Sequence, residues 1–277
     1  MARLIIGIPC YNEEAHISST LISAIQQLEV SADVGIFISD NASTDDTVEK
    51  IERILEATPK FRERVFFQRH HEGIGAIANF WDTVDKTDSE FFMWLGGHDQ
   101  LSRGYVSSGL RHMLDEPQTS MFCGQHVALA PNGNSAKQKV EYEFRQENPV
   151  ERYLQSILQL DNCYVFHSMF RRADVANFGR PEVPSADHIL ISHLLWAGKL
   201  VQSNECFYRR RYFDSENRAQ KVIQGDYVNG ANNVAFFEAY LKDLTELAQR
   251  FPDEIRQAIV TQASSLLFQR FGLPSPI

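Results

Sequence analysis

Cysteine is scarce in this chain: four residues among 277, Cys10, Cys123, Cys163 and Cys206, with no C-x-x-C or Cys/His finger spacing between them. That excludes a disulfide-stapled scaffold and a finger-type zinc site, and it predicts reduced, mostly buried thiols. Long apolar runs are missing too. No stretch approaches the roughly eighteen apolar residues of a membrane-crossing helix. The amino terminus enters Leu4-Ile5-Ile6-Gly7-Ile8 at once, without the basic stretch and apolar core of a secretion signal, so a cytoplasmic location is expected. Positive charge is in deficit, with 27 Lys and Arg against 36 Asp and Glu and a formal net charge of −9. Such a surface repels polyanions, which excludes nucleic acid as a general partner. Internal repeats and low-complexity linkers are also absent.

What is present is an ordinary globular composition, 43% hydrophobic and 23% charged. A chain of this length buries roughly 70–75% of its unfolded surface, enough for one large domain with or without an appendage. Short β-branched or aromatic runs alternate with helical patterns: strands at 4–8, 34–39, 65–68 and 91–95, and helices at 13–28, 45–56 and 75–84. This alternation predicts an α/β fold with a mainly parallel sheet flanked by helices. Further strands are expected at 121–130, 163–170 and 200–208, with a helix over 187–196. After Arg218 the pattern turns helical, with Val234, Phe237, Tyr240, Leu241, Leu244 and Leu247 at three-and-four spacing.

In such sheets ligands gather at the carboxyl ends of strands. Those ends carry Pro9-Cys10-Tyr11-Asn12-Glu13, Asp40-Asn41, His70-His71-Glu72 and Gly97-His98-Asp99. The run from Ser39 to Thr47 also reads as simple helix capping, because Ser, Thr and Asp oxygens accept the orphan N–H groups of a first turn. Gly73-Ile74-Gly75-Ala76-Ile77-Ala78 matches a G-x-G-x-x-A dinucleotide loop. However, five residues separate Gly73 from its strand, and that strand is third in order rather than first. No G-x-S-x-G elbow supports a serine hydrolase, and the remaining histidines show no zinc spacing.

Taken together, Ile5-Ile6-Gly7-Ile8-Pro9-Cys10-Tyr11-Asn12-Glu13-Glu14 and Ser39-Asp40-Asn41-Ala42-Ser43-Thr44-Asp45-Asp46-Thr47 resemble the opening of family-2 glycosyltransferases. The resemblance runs over about residues 3–213. It implies a GT-A fold, Rossmann-like with a mixed but mainly parallel sheet, over residues 1–215 (donor half 1–100, acceptor half 101–215). A C-terminal helical extension over 216–277 packs on it. It also implies transfer of a sugar from a nucleoside-diphosphate sugar to a glycan or lipid-linked acceptor, with peripheral contact at the inner membrane face where the acceptor is a lipid.

By the same resemblance, Pro9, Tyr11, Glu13, Asp40 and Asn41 hold the base and ribose, with Asn41 standing where the family usually has a second Asp. Gly73 and Asn79 approach the diphosphate. Leu95-Gly96-Gly97-His98-Asp99 stands in place of the metal motif Leu-Asp-Ala-Asp-Asp, keeping only the last acid. Asp99 is therefore the expected ligand of a divalent cation, Mg²⁺ or Mn²⁺, and His98 either a second ligand or a diphosphate contact. Asp187, ahead of a Leu-rich helix, is the expected general base of an inverting transferase, although an acid there also serves as a plain helix cap. In Glu205-Cys206-Phe207-Tyr208-Arg209-Arg210-Arg211-Tyr212, Arg210 or Arg211 is expected to pair with the diphosphate. Strand alternation sends Arg210 to the face opposite Arg209 and Arg211. Two rival readings stand beside this one: a catalytically degenerate GT-A scaffold that binds nucleotide or glycan, and a nicotinamide-dependent oxidoreductase using Gly73 and Gly75.

Overall fold

The structure is a computed structural model that describes residues 2–130, 134–138, 141–160, 163–213 and 233–272. Strand β1 (Leu4–Cys10) is buried along its whole length, as an apolar run without alternation demands when both sheet faces are covered. It pairs in parallel with β2 (Val34–Asp40) on one side and β4 (Phe91–Trp94) on the other, while β3 (Val65–Arg69) extends β2. Beyond β4 the sheet becomes mixed. Here β8 (Met169–Arg171) runs antiparallel to both β4 and β6 (Thr119–Leu129), and β9 (Lys199–Arg211) runs parallel to β6. The order is β3-β2-β1-β4-β8-β6-β9-β5, with β5 (Gln100–Leu101) closing the edge and β7 (Ser135–Gln138) paired to β6. Two reversals cancel, so β1, β2, β4 and β9 all point the same way.

Side-chain alternation divides the core into two layers. Leu4, Ile6 and Ile8 meet α1 (Ile17–Val30), α2 (Thr47–Ala57) and α4 (Tyr105–Asp115) through Leu21, Ile51 and Leu110. Ile5, Phe92 and Trp94 belong to the opposite layer. It also includes residues of α3 (Ala76–Asp85), α5 (Pro149–Gln159), α6 (Ala186–Ala197), α7 (Asn233–Leu247) and α8 (Asp253–Phe271). Phe237, Tyr240 and Leu244 of the expected C-terminal apolar stripe are buried there. All four cysteines are free, three of them buried. Among the described residues no helix is long and apolar enough to cross a membrane.

Two expectations need correction. The strand expected over 163–170 is instead a 3-10 turn, Cys163–His167, followed by the short β8. The helix expected from Glu13 begins only at Ile17. The N–H groups of Asn12, Glu13 and Glu14 are already taken by Ser43 Oγ, Thr47 Oγ1 and Asp45 Oδ2, which pins the turn to the loop after β2. The sheet itself is mixed but mainly parallel, as expected, with β8 entering from the opposite direction between β4 and β6. Of the residues assigned to the C-terminal extension, 216–232 and 273–277 lie outside the described residues.

Candidate active site

The shared direction of β1, β2, β4 and β9 brings their carboxyl ends to one edge of the sheet. Three of the four described non-glycine residues with positive φ sit on turns that carry candidate residues: Asn12 (53°), Ala42 (60°) and Ser185 (59°). Left-handed backbone costs a residue with a Cβ about 1–2 kcal/mol, and such strain collects at functional turns. Asn12 offsets part of it, since its Oδ1 accepts the Thr44 N–H at 2.9 Å and links the turns after β1 and β2.

The turn after β2 is closed by Asp40. This fully buried carboxylate accepts the Ser43 N–H at 3.0 Å and the Ser43 hydroxyl at 2.5 Å. Asn41 accepts the Ile74 N–H at 2.7 Å, so it holds the Gly73-Ile74 loop over the turn, and Gly73 itself remains exposed. Asn79 proves to be an internal splint. It is buried, and its amide is spent on Ser39, donating to the carbonyl (3.1 Å) and accepting from the hydroxyl (2.7 Å). Pro9 is buried within β1, whereas Tyr11 is 54% exposed, with its ring open at the rim.

A second cluster joins β4 to β9. Register pairs Gln100 with Arg209, so Asp99 falls beside Arg210. Asp99 is 1% exposed; its Oδ2 accepts the Tyr208 hydroxyl at 2.7 Å and its Oδ1 accepts the Arg211 N–H at 2.8 Å. Burial pushes the Asp99 carboxyl above its ordinary range, against the opposing pull of His98, these two donors and Arg210. His98 is gripped at Nδ1 by Glu13 Oε1, 2.7 Å away, and its carbonyl accepts Arg211 Nε at 3.3 Å. Burial depresses the His98 imidazole, but the Glu13 hydrogen bond and the charges of Asp99 and Glu13 outweigh it and raise the net affinity for a proton.

Arg210 lies on the same strand face as Tyr208, as alternation predicts. Its guanidinium sits against the rings of Tyr164 (5.6 Å to the centroid) and Tyr212 (5.9 Å), whose hydroxyls bond each other at 2.8 Å. Among the described residues the guanidinium makes no hydrogen bond and no ion pair. Its charge is felt on the far side by Asp187 as well as by Asp99. Half-buried in the first turn of α6, Asp187 accepts its neighbour's N–H from His188 at 3.0 Å and a hydrogen bond from the Cys163 thiol. Burial lifts its carboxyl above the usual range despite these donors. Hydrogen bonds thus link Glu13, His98, Asp99 and Arg211, and the charge of Arg210 reaches both Asp99 and Asp187, while the Asn79 amide is turned to Ser39. Tyr164 and Cys163 escaped sequence reasoning because they fall in the turn mistaken for strand.

The family described as glycosyl transferase family 2 matches residues 5–178. The chain belongs to that family. An abequosyltransferase, RfbV of Salmonella typhimurium, is 29% identical over 116 residues, 42% of this chain and 34% of that protein, so the match spans about a third of the relative's length. Among solved structures, S. aureus TarS 1-349 in complex with UDP-GlcNAc superposes with a TM-score of 0.66 at 14% identity, covering 98% of this chain and 74% of that one. A mannosyltransferase, PcManGT of Pyrobaculum calidifontis, in complex with GDP-Man and Mn²⁺, gives 0.58 at 12% identity, over 95% and 69% of the two chains. At these identities the likeness establishes the GT-A fold.

A divalent cation is the cofactor this family's motif implies, and the donor set here does not fit one. Among the described residues no three His, Cys, Asp or Glu side chains cluster as a metal site. The single acid of the motif is enclosed, with a hydrogen bond on each oxygen. Of the two positions where the motif's earlier acids stand, one is occupied by His98 and the other is Gly96, where an added Cβ would stand 2.8 Å from Asp99 Oδ2. A side chain at 96 would therefore press on the carboxylate that Tyr208 and the Arg211 N–H hold in place.

Proposed function

We propose that this protein transfers a sugar from a nucleoside-diphosphate sugar to an acceptor hydroxyl in glycan biosynthesis, with inversion at the anomeric carbon. The observation that carries this reading is the half-buried Arg210 guanidinium, without a hydrogen-bond or ion-pair partner among the described residues, whose charge acts on the carboxylates of both Asp99 and Asp187. A fork of five N–H donors suits the oxygens of a diphosphate, and a site with that cation on one side and a carboxylate of raised proton affinity on the other suits displacement at the carbon between them. The acceptor hydroxyl gives its proton to Asp187 as its oxygen forms the new bond to the anomeric carbon. The bond to the diphosphate oxygen breaks with its electron pair, and Arg210 meets the charge that develops there. The carboxyl ends of β1 and β2, with Tyr11 at the rim, are the place for the nucleoside. Structural neighbours of the same fold solved with UDP-GlcNAc and with GDP-Man support a donor of this class.

The test is a panel of nucleotide sugars assayed for release of nucleoside diphosphate, with and without glycan acceptors, on the wild type and on Asp187→Asn. Asp187→Asn is expected to lose transfer by at least about 10²-fold, in line with removal of a general base, while donor affinity stays within about threefold. Because Asp187 must be ionised to act and its proton affinity is raised, wild-type kcat/KM should fall as pH drops through a value above the ordinary carboxyl range. An Asp187→Asn enzyme with wild-type turnover removes the base assignment. Absence of binding and turnover across the panel removes the proposed function.

A further inference from the structure

We propose that the donor diphosphate is held by the Arg210 guanidinium without a divalent cation, so that nucleotide binding does not depend on added metal. This rests on the reading of the site as a nucleotide-sugar pocket and specifies how that pocket handles charge. Two independent features carry it.

The first is the state of Asp99. An octahedral hard cation needs an open carboxylate lone pair and space for its waters. Here both oxygens point into the protein, to Tyr208 and to the Arg211 N–H, on a residue that is 1% exposed. Asp99 works as the pin that fastens β9, and hence Arg210, to the turn after β4. The second is the state of Arg210. A half-buried guanidinium with no acceptor among the described residues is costly, since its desolvated N–H groups forgo water without compensation. The Tyr164 and Tyr212 rings stabilise the cation through their faces and fix its plane, but they leave the in-plane donors unmatched. A diphosphate supplies the acceptors and the opposite charge. Arg211 is already committed to the His98 carbonyl through Nε, which singles out Arg210 of the three consecutive arginines.

In this family a cation normally shares that work, and the mannosyltransferase neighbour was solved with Mn²⁺ beside its donor. In this chain Gly96 and His98 stand where the motif's earlier acids do and Asp99 is pinned, so the oxygen cradle is reduced to one enclosed carboxylate, with the charge of Arg210 acting on it.

The experiment is titration calorimetry of UDP, GDP and dTDP into the full-length protein, in EDTA and in Mn²⁺ or Mg²⁺, followed for the tightest nucleotide by Arg210→Lys and Arg210→Gln. The Lys variant keeps the charge and loses the fork; thermal unfolding of both variants confirms that they fold. Free Mn²⁺ is monitored by electron paramagnetic resonance with protein, with nucleotide, and with both. The expected result is a Kd that differs by less than about threefold between EDTA and Mn²⁺. It includes at least about tenfold weaker binding in Arg210→Gln with a smaller loss in Arg210→Lys, as for a charge-assisted bidentate contact, and no Mn²⁺ captured beyond what nucleotide alone takes up. Binding that appears only with the cation, ternary capture of Mn²⁺, or Arg210→Gln binding like wild type overturns the inference and leaves the nucleotide-sugar reading standing. Failure of every nucleotide in both buffers overturns that reading and the inference together.

Discussion

At the residue scale the site is defined by polar groups whose partners differ from those their type suggests. Asp40 and Asn41, read from the sequence as ligand contacts, spend their oxygens on the turn itself and give the pocket its shape. His126 shows the reverse, a buried polar side chain with neither ring nitrogen bonded, packed against Tyr164 and Tyr208. Burial, with Arg210 nearby, lowers its pKa to about 4. The unfolded chain protonates this imidazole near the ordinary value of about 6.5, so between the two values the unfolded state binds more protons and stability falls as pH drops. Substituting His126→Phe removes that proton site. The melting temperature of the variant relative to wild type should rise progressively from pH 7 to pH 5, and a gap independent of pH contradicts the account.

At the scale of elements, β9 is the one that assembles the site. Its final residues stay paired with β6 up to Arg211 and extend past β5, and Asp99 ties them down through Tyr208 and the Arg211 N–H. Tyr208 also accepts the Gly96 N–H at 3.3 Å, so a single hydroxyl joins the turn to the strand. The Tyr208→Phe variant leaves a buried carboxylate oxygen and an N–H short of partners. A loss of about 1–3 kcal/mol in urea unfolding is expected, the usual cost of an unsatisfied buried group. A change below about 0.5 kcal/mol, the range of ordinary surface substitutions, shows that Asp99 does not depend on this bond. Alternation along β9 correctly separated Arg210 from its neighbours, because side-chain direction in a strand follows from sequence alone. The turn at Cys163–His167 was misread because its run of apolar and aromatic residues has the composition of a strand, while its burial comes from helices and strands distant in sequence.

At the scale of the molecule, the C-terminal helices share the core behind the site. Asp243 of α7 accepts from His193 of α6 at 2.7 Å and from the Tyr153 hydroxyl of α5 at 3.0 Å, so one buried carboxylate links three helices. Replacing Asp243 by Ala takes the partner from His193 Nδ1 and leaves the Tyr153 hydroxyl only the longer bond to the Tyr240 carbonyl. A loss of about 2–4 kcal/mol is expected, by the cost of breaking a buried charged pair, with a lower thermal midpoint. An unshifted midpoint means that α7 is held by its apolar face alone. The strand-helix alternation, the apolar periodicities and the ordered turn residues from Pro9 to Asp99 were enough, in the sequence alone, to indicate the α/β class, the family and the strand-end position of the site. These features are local, and local pattern encodes them. What each polar group touches is not local. That Asn79 faces Ser39, that Asp99 is pinned by β9 and that Arg210 finds no acceptor among the described residues follow from how segments far apart in the chain meet, and only the tertiary structure decides them.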